Sequence, residues 1–136
     1  MSVEQVGQWT REEHRIRYEH VGDYRWKTPK EVDSSWTGDC KDKALWLYAK
    51  LKEAGVRDLR LVIGRKDRGS RQFHAWLYLT LDGLAYLLDP TRSGDVWKQT
   101  EFGDDEYIPA YSFDGESAYS HGIDLRFFPI AVSPAE

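Results

Sequence analysis

The chain has 136 residues, with 19 Lys and Arg against 23 Asp and Glu, four His and one Cys, for a formal charge of −4 at pH 7. That length holds one ordinary domain, residues 1–136, with a single sizeable core; its basic side chains are scattered among carboxylates without a block of like charge, which excludes phosphate steering and nucleic acid as a partner. A single cysteine excludes an intrachain disulfide and a cysteine-rich zinc site, and no stretch approaches the roughly 20 apolar residues of a membrane span.

In chain order, Met1-Ser2-Val3-Glu4-Gln5 lacks the basic flank and apolar run of a secretory signal. A cytoplasmic location is therefore expected for the sequence as written, and a periplasmic or secreted one if the N-terminus has been trimmed. Thr10-Arg11-Glu12-Glu13 has the pattern of a capping box and predicts a polar helix from Thr10 to about His20. Between Gly22 and Gly38, Pro29 and Asp33-Ser34-Ser35 predict loop or a short helical turn at most.

From Asp39 to Ala54 the sequence predicts its strongest helix. Ala44, Leu47, Tyr48, Leu51 and Ala54 fall on one stripe, Leu45 and Trp46 widen it, and Gly55 supplies the stop, so this helix is expected to be central and packed on a sheet. Leu59 to Arg65, Gln72 to Leu81 and Leu84 to Asp89 predict three strands, with Asp82-Gly83 a type I′ hairpin turn between the last two. Tyr107 to Phe113 and Ile123 to Val132 predict two more, separated by a glycine and serine loop, the second at an edge because of Pro129.

Cys40 stands in Gly38-Asp39-Cys40-Lys41-Asp42, where a glycine turn runs into the first turn of the predicted helix. A helix N-terminus favours the thiolate, which is the reactive form, and its amides can serve as half an oxyanion hole. Trp36, and more remotely Trp26, are candidate indole donors to the same oxyanion, and Trp36 and Trp76 are candidate walls of a substrate groove. Asp39 and Asp42 are expected to cap the helix; two carboxylates are too few for a calcium site, and no metal or cofactor is expected.

His74 lies in an alternating strand on one face with Trp76 and Tyr78, and a sheet packed on the Cys40 helix would bring its imidazole to the thiol. Asp89 ends the next strand after Tyr86-Leu87-Leu88, and counting outward from the Asp82-Gly83 turn sets position 76 opposite 89, with His74 on the diagonal. Cys40, His74 and Asp89 are thus expected to form a nucleophile, base and orienting carboxylate. His14, His20 and His121 are expected at the surface.

With these residues in view, the chain resembles the bacterial transglutaminase-like cysteine proteinases of the papain-like superfamily. The resemblance is carried by Trp26-Lys27-Thr28-Pro29-Lys30-Glu31, Gly38-Asp39-Cys40-Lys41-Asp42-Lys43-Ala44, His74-Ala75-Trp76, Leu88-Asp89-Pro90-Thr91 and Tyr107-Ile108-Pro109-Ala110-Tyr111-Ser112-Phe113. It implies an α+β fold with a papain-like, transglutaminase-like core, in which a central helix carrying the Cys packs on an antiparallel sheet carrying the His and Asp. It also implies Cys40 as nucleophile, His74 as general base and acid, and Asp89 as its partner. The calcium-dependent, adhesin-releasing proteases of this branch carry an acidic residue after the cysteine, where this chain has Lys41, so calcium and an adhesin substrate are both doubtful.

The expected activity is hydrolysis of peptide or isopeptide amides in a protein or peptide substrate through an acyl-enzyme. Transfer of the acyl group to an amine, and a binding module that kept the fold without turnover, are the alternatives.

Overall fold

The computed structural model describes residues 2–19, 26–70, 73–92, 96–103, 105–115 and 117–120. Helix α1, Val3–His14, begins earlier than Thr10-Arg11-Glu12-Glu13 suggests, because Ser2 and Gln5 already form a reciprocal capping box. Thr10 is buried inside this helix, where its hydroxyl donates to the Val6 carbonyl at 2.8 Å. The helix expected from Thr10 to His20 is corrected accordingly: Arg15 is the C-cap, and Arg17–Tyr18 form strand β1.

Helix α2, Pro29–Ser35, is a full seven-residue helix, with Thr28 and Glu31 closing a capping box and Pro29 in the first turn. It ends on Trp36 in the left-handed region at φ 54°. Strand β2, Thr37–Gly38, runs parallel to β1, pairing Arg17 with Thr37 and Tyr18 with Gly38. Helix α3, Cys40–Glu53, follows with Asp39 as N-cap, and Gly55 ends it at φ 97°.

Six antiparallel strands make the main sheet: β3 Leu59–Asp67, β4 His74–Leu81, β5 Leu84–Leu88, β6 Trp97–Lys98, β7 Glu106–Asp114 and β8 Ser117–Ser120. Their spatial order is β6-β5-β4-β3-β7-β8. Asp82 and Gly83 both have positive φ, at 50° and 78°, as a type I′ turn requires, and the register runs from Leu81 opposite Leu84 to Leu77 opposite Leu88. The stretch expected to be a glycine and serine loop contains β8, which hairpins back on β7. Ile123 to Val132 lies outside the described residues.

Each face of the sheet carries its own apolar cluster. Ala75, Leu77, Leu79 and Leu88 pack with Ala44, Leu47 and Leu51 of α3, while Val62, Trp76, Leu87, Phe102 and Tyr107 pack on the opposite face. Trp46 of α3 is held edge-on by Trp9 of α1 and by Trp36, and its indole N–H donates to Asp33 of α2 at 2.8 Å. Both short helices are thereby fixed to the helix that begins at Cys40. No helix among the described residues is long and apolar enough to cross a membrane.

Gly64 sits where β3 shifts register against β7. A Cβ there would lie 2.1 Å from the Ile108 carbonyl oxygen and 2.8 Å from both Pro109 Cα and Trp76 Cη2, and two of these three neighbours are backbone. Gly64→Ala is expected to destabilise the fold by about 3 kcal/mol, read as a lower urea midpoint. An unchanged midpoint would mean that β7 gives way easily.

Candidate active site

Cys40 is brought to its place by the backbone that precedes it. The Arg17 N–H donates to the Trp36 carbonyl and the Glu19 N–H to the Gly38 carbonyl, both at 3.0 Å, and the Lys27 ammonium bonds both oxygens of Thr37. Gly38 is required by contact, since a Cβ would lie 2.7 Å from that of Asp42. Asp39 and Asp42 cap the helix reciprocally; Asp42 also accepts the Lys27 N–H at 2.8 Å, and the Lys41 ammonium bonds Asp39. Cys40 is thus the first residue of a helix, at the end where the unpaired amides and the positive end of the dipole favour negative charge.

His74 opens β4, and Asp89 follows the last residue of β5, so both stand at one end of the sheet. The His74 Nε2 lies 2.8 Å from Asp89 Oδ1. The Cys40 thiol stands close enough to act electrostatically on the imidazole, and Nδ1 is the ring nitrogen that Asp89 leaves free to face it. The structure corrects the route by which they meet: the face of β4 packed on α3 is that of Ala75, Leu77 and Leu79, whereas Trp76 and Tyr78 lie with the second cluster. His74 reaches the thiol because it is at the strand's end, beneath the overhanging start of α3.

Asp89 is only 1% exposed and fully satisfied. Besides His74 it accepts Tyr107 Oη at 2.6 Å and the Thr91 amide and hydroxyl at 2.9 and 3.0 Å, with Lys66 Nζ at 3.9 Å. Burial would push this carboxyl up, but the bonds from His74, Tyr107 and Thr91 outweigh it and hold Asp89 well below the usual carboxylate range. For His74 burial works downward, and the bonds and charges of Asp89 and Cys40 overcome it, lifting the imidazole to about 9.

Sequence reasoning did not find Tyr107, Thr91, Glu13 or Lys43 as parts of this site. Tyr107, which lies in one of the motifs that carry the resemblance, adopts φ 52°, a strained conformation for an aromatic residue, and its hydroxyl is locked on Asp89. Lys43 could have been found by spacing, since it is three residues after Cys40 and so on the same helix face. It interacts with Glu13, whose two carboxyl oxygens are buried with no hydrogen-bond partner among the described residues, and burial pushes Glu13 up to about 9 and Lys43 down.

Cys40, His74, Lys43 and Thr91 open into a cleft of about 750 Å³. The predicted walls are not there. Trp76 is wholly buried among Tyr78, Tyr107 and His74, and Trp36 is turned onto Trp46. Neither Trp36 nor Trp26 is among the described residues that line the cleft; both pack against the α3 cluster, whereas Cys40 does line it. Phe73 and Tyr18 are the aromatic walls instead.

No protein-family model matches the sequence, and no curated protein does. Solved structures do. Calcium-bound LapG from Legionella pneumophila matches over 85% of this chain at a TM-score of 0.71 and 26% identity, and EGTA-treated LapG over 87% at 0.72 and 25%. The chain has the transglutaminase-like cysteine protease fold. It spans about two thirds of those LapG chains, 67% and 66%. A candidate cysteine protease from Cytophaga hutchinsonii shares the fold at a TM-score of 0.51 and 16% identity, over 71% of this chain and 34% of that one.

The doubt about calcium drawn from Lys41 loses its support here, because one LapG structure with this fold is calcium-bound. In this chain the carboxylates beside the cysteine are engaged in caps and with Lys27 and Lys41. Among the described residues no group of three or more His, Cys, Asp or Glu is placed to hold a metal ion.

The raised His74 gives a stability prediction with a definite sign. Its contribution is fully present below the unfolded value of 6.5 and is lost as pH rises through about 9. Urea midpoints are expected to fall over that interval by more in the native sequence than in His74→Gln. Parallel curves would show that the imidazolium is not held by Asp89.

Proposed function

We propose that this chain is a thiol hydrolase that cleaves peptide or isopeptide amides, with Cys40 as nucleophile, His74 as acid and base, and Asp89 as the residue that orients His74. The observation that supports it most is the His74 and Asp89 hydrogen bond at 2.8 Å beside Cys40 at a helix start, with Cys40 and His74 lining one cleft. The cysteine protease fold supports the same reading.

In this mechanism the Cys40 Sγ, its proton on His74, attacks the amide carbonyl carbon. The oxygen of the tetrahedral intermediate takes up the negative charge and accepts the Cys40 N–H at the helix start. His74 returns the proton to the leaving nitrogen, the C–N bond breaks, and a thioester remains on Cys40. Water then attacks the thioester with its proton passing to His74, and the acid is released as the thiol reforms. An amine in place of that water gives acyl transfer; the exposed cleft, bordered by Thr91 and Phe73, is open to either acceptor. Asp89 accepts the hydrogen bond from Nε2–H throughout and stays ionised, leaving Nδ1 to exchange protons with sulfur and substrate.

Alkylation by iodoacetamide tests the assignment without a known substrate. Native Cys40 is expected to react rapidly at about pH 6, and Asp89→Asn about tenfold more slowly there, because a less stable imidazolium supports less thiolate. Superimposable pH profiles from two folded proteins would reduce Asp89 to a structural residue and leave at most a Cys and His pair.

A further inference from the structure

The walls of the cleft do not match the charge of the chain. The sequence carries an excess of carboxylates, yet the described residues that line the cleft include the cations Arg15, Arg17 and Lys66, besides the buried Lys43, and no Asp or Glu. Asp89 lies beneath the floor, buried and engaged by His74, Tyr107 and Thr91. Of the exposed carboxylates on the neighbouring elements, Glu12 lies 3.5 Å from Arg15 in a solvent-exposed pair, and Glu19 lies 4.0 Å from Lys27. An exposed pair of that kind leaves the arginine free to exchange partners at little cost.

The rim also carries apolar surface. Four large hydrophobic residues are notably exposed among those described, and two of them, Tyr18 at 53% and Phe73 at 67%, line this cleft together with Cys40 and His74. Arg17 and Tyr18 are consecutive residues of β1, so they project to opposite sides of that short strand, while Lys66 approaches from β3. Cations from α1, β1 and β3 thus converge on one opening, where low-dielectric walls focus their field.

We propose that the cleft selects acidic peptide segments: a substrate with Asp or Glu side chains flanking the scissile bond, and an apolar side chain for Phe73 or Tyr18. The proposal rests on Cys40 being the reactive thiol of the hydrolase. Arg15 and Arg17 supply bidentate donors for carboxylates, Lys66 a point charge beside the His74 and Asp89 pair, and the aromatics cover the apolar part. A basic peptide would meet like charge on each of these elements and be refused.

Protection of Cys40 from iodoacetamide tests this independently of turnover. The full chain is alkylated at about pH 9, where a thiol reacts whether or not a histidine assists it, in the presence of a short glutamate-rich peptide or its lysine-substituted counterpart. The acidic peptide is expected to slow alkylation by about threefold or more and the basic one to leave it unchanged, with the protection fading as salt rises from about 0.05 to about 0.5 M. Arg17→Glu and, separately, Arg15→Glu are each expected to reduce the protection. Equal protection by both peptides, or none by the acidic one, would overturn the proposal. Failure of the hydrolase reading would show differently, as slow alkylation at about pH 6 with the charge selectivity at about pH 9 intact.

Discussion

The structure turns on how one buried carboxylate is satisfied. An ionised Asp89 without partners would cost several kcal/mol at this depth, and what offsets that cost is the set of donors gathered from three parts of the chain. His74 comes from the start of β4, Tyr107 from β7 and Thr91 from the turn after β5. Bringing Tyr107 to Asp89 requires β7 to lie beside β3 in the register that Gly64 permits, with Trp76 packed edge-on against the tyrosine ring. The sheet order and its bulge are therefore conditions for the His74 and Asp89 pair, and that pair is what stands under Cys40.

Helix α3 supplies the other half. Its start is held by a reciprocal Asp39 and Asp42 cap and by the β1 and β2 pairing, so the thiol is presented at a fixed point over the sheet's end. Beneath it the fold tolerates a costly arrangement, Glu13 and Lys43 buried together with the glutamate oxygens unbonded among the described residues. Both groups are driven toward their neutral forms by burial, and both feel Asp89. Departures from a satisfied core are expected at functional sites, and Lys43 lines the same cleft as Cys40 and His74.

Much of this was legible in the sequence because local rules carried it. Asp82-Gly83 determines a hairpin register by turn geometry alone, and that register put Asp89 beside the strand of His74. Asp39, Cys40 and Gly55 marked the limits of α3 through cap chemistry. Illegible were the features that depend on non-local packing. Two capping boxes competed for α1, and only burial of Thr10 against Val6 decides for Ser2. Trp76 as a groove wall failed because strand alternation gives two faces without saying which one meets the helix. Tyr107 on Asp89 spans 18 residues and an intervening strand, and no spacing rule reaches that far.

The central claim is that Cys40 is reactive because His74 makes it so. A peptide-based electrophilic probe, followed by intact mass, tests it most directly. The account predicts one covalent adduct on the native protein, none on Cys40→Ala, and strongly slowed labelling of a folded His74→Ala protein, since the thiolate then lacks its imidazolium. Labelling of His74→Ala at the native rate would contradict the account and leave Cys40 an exposed thiol at a helix start.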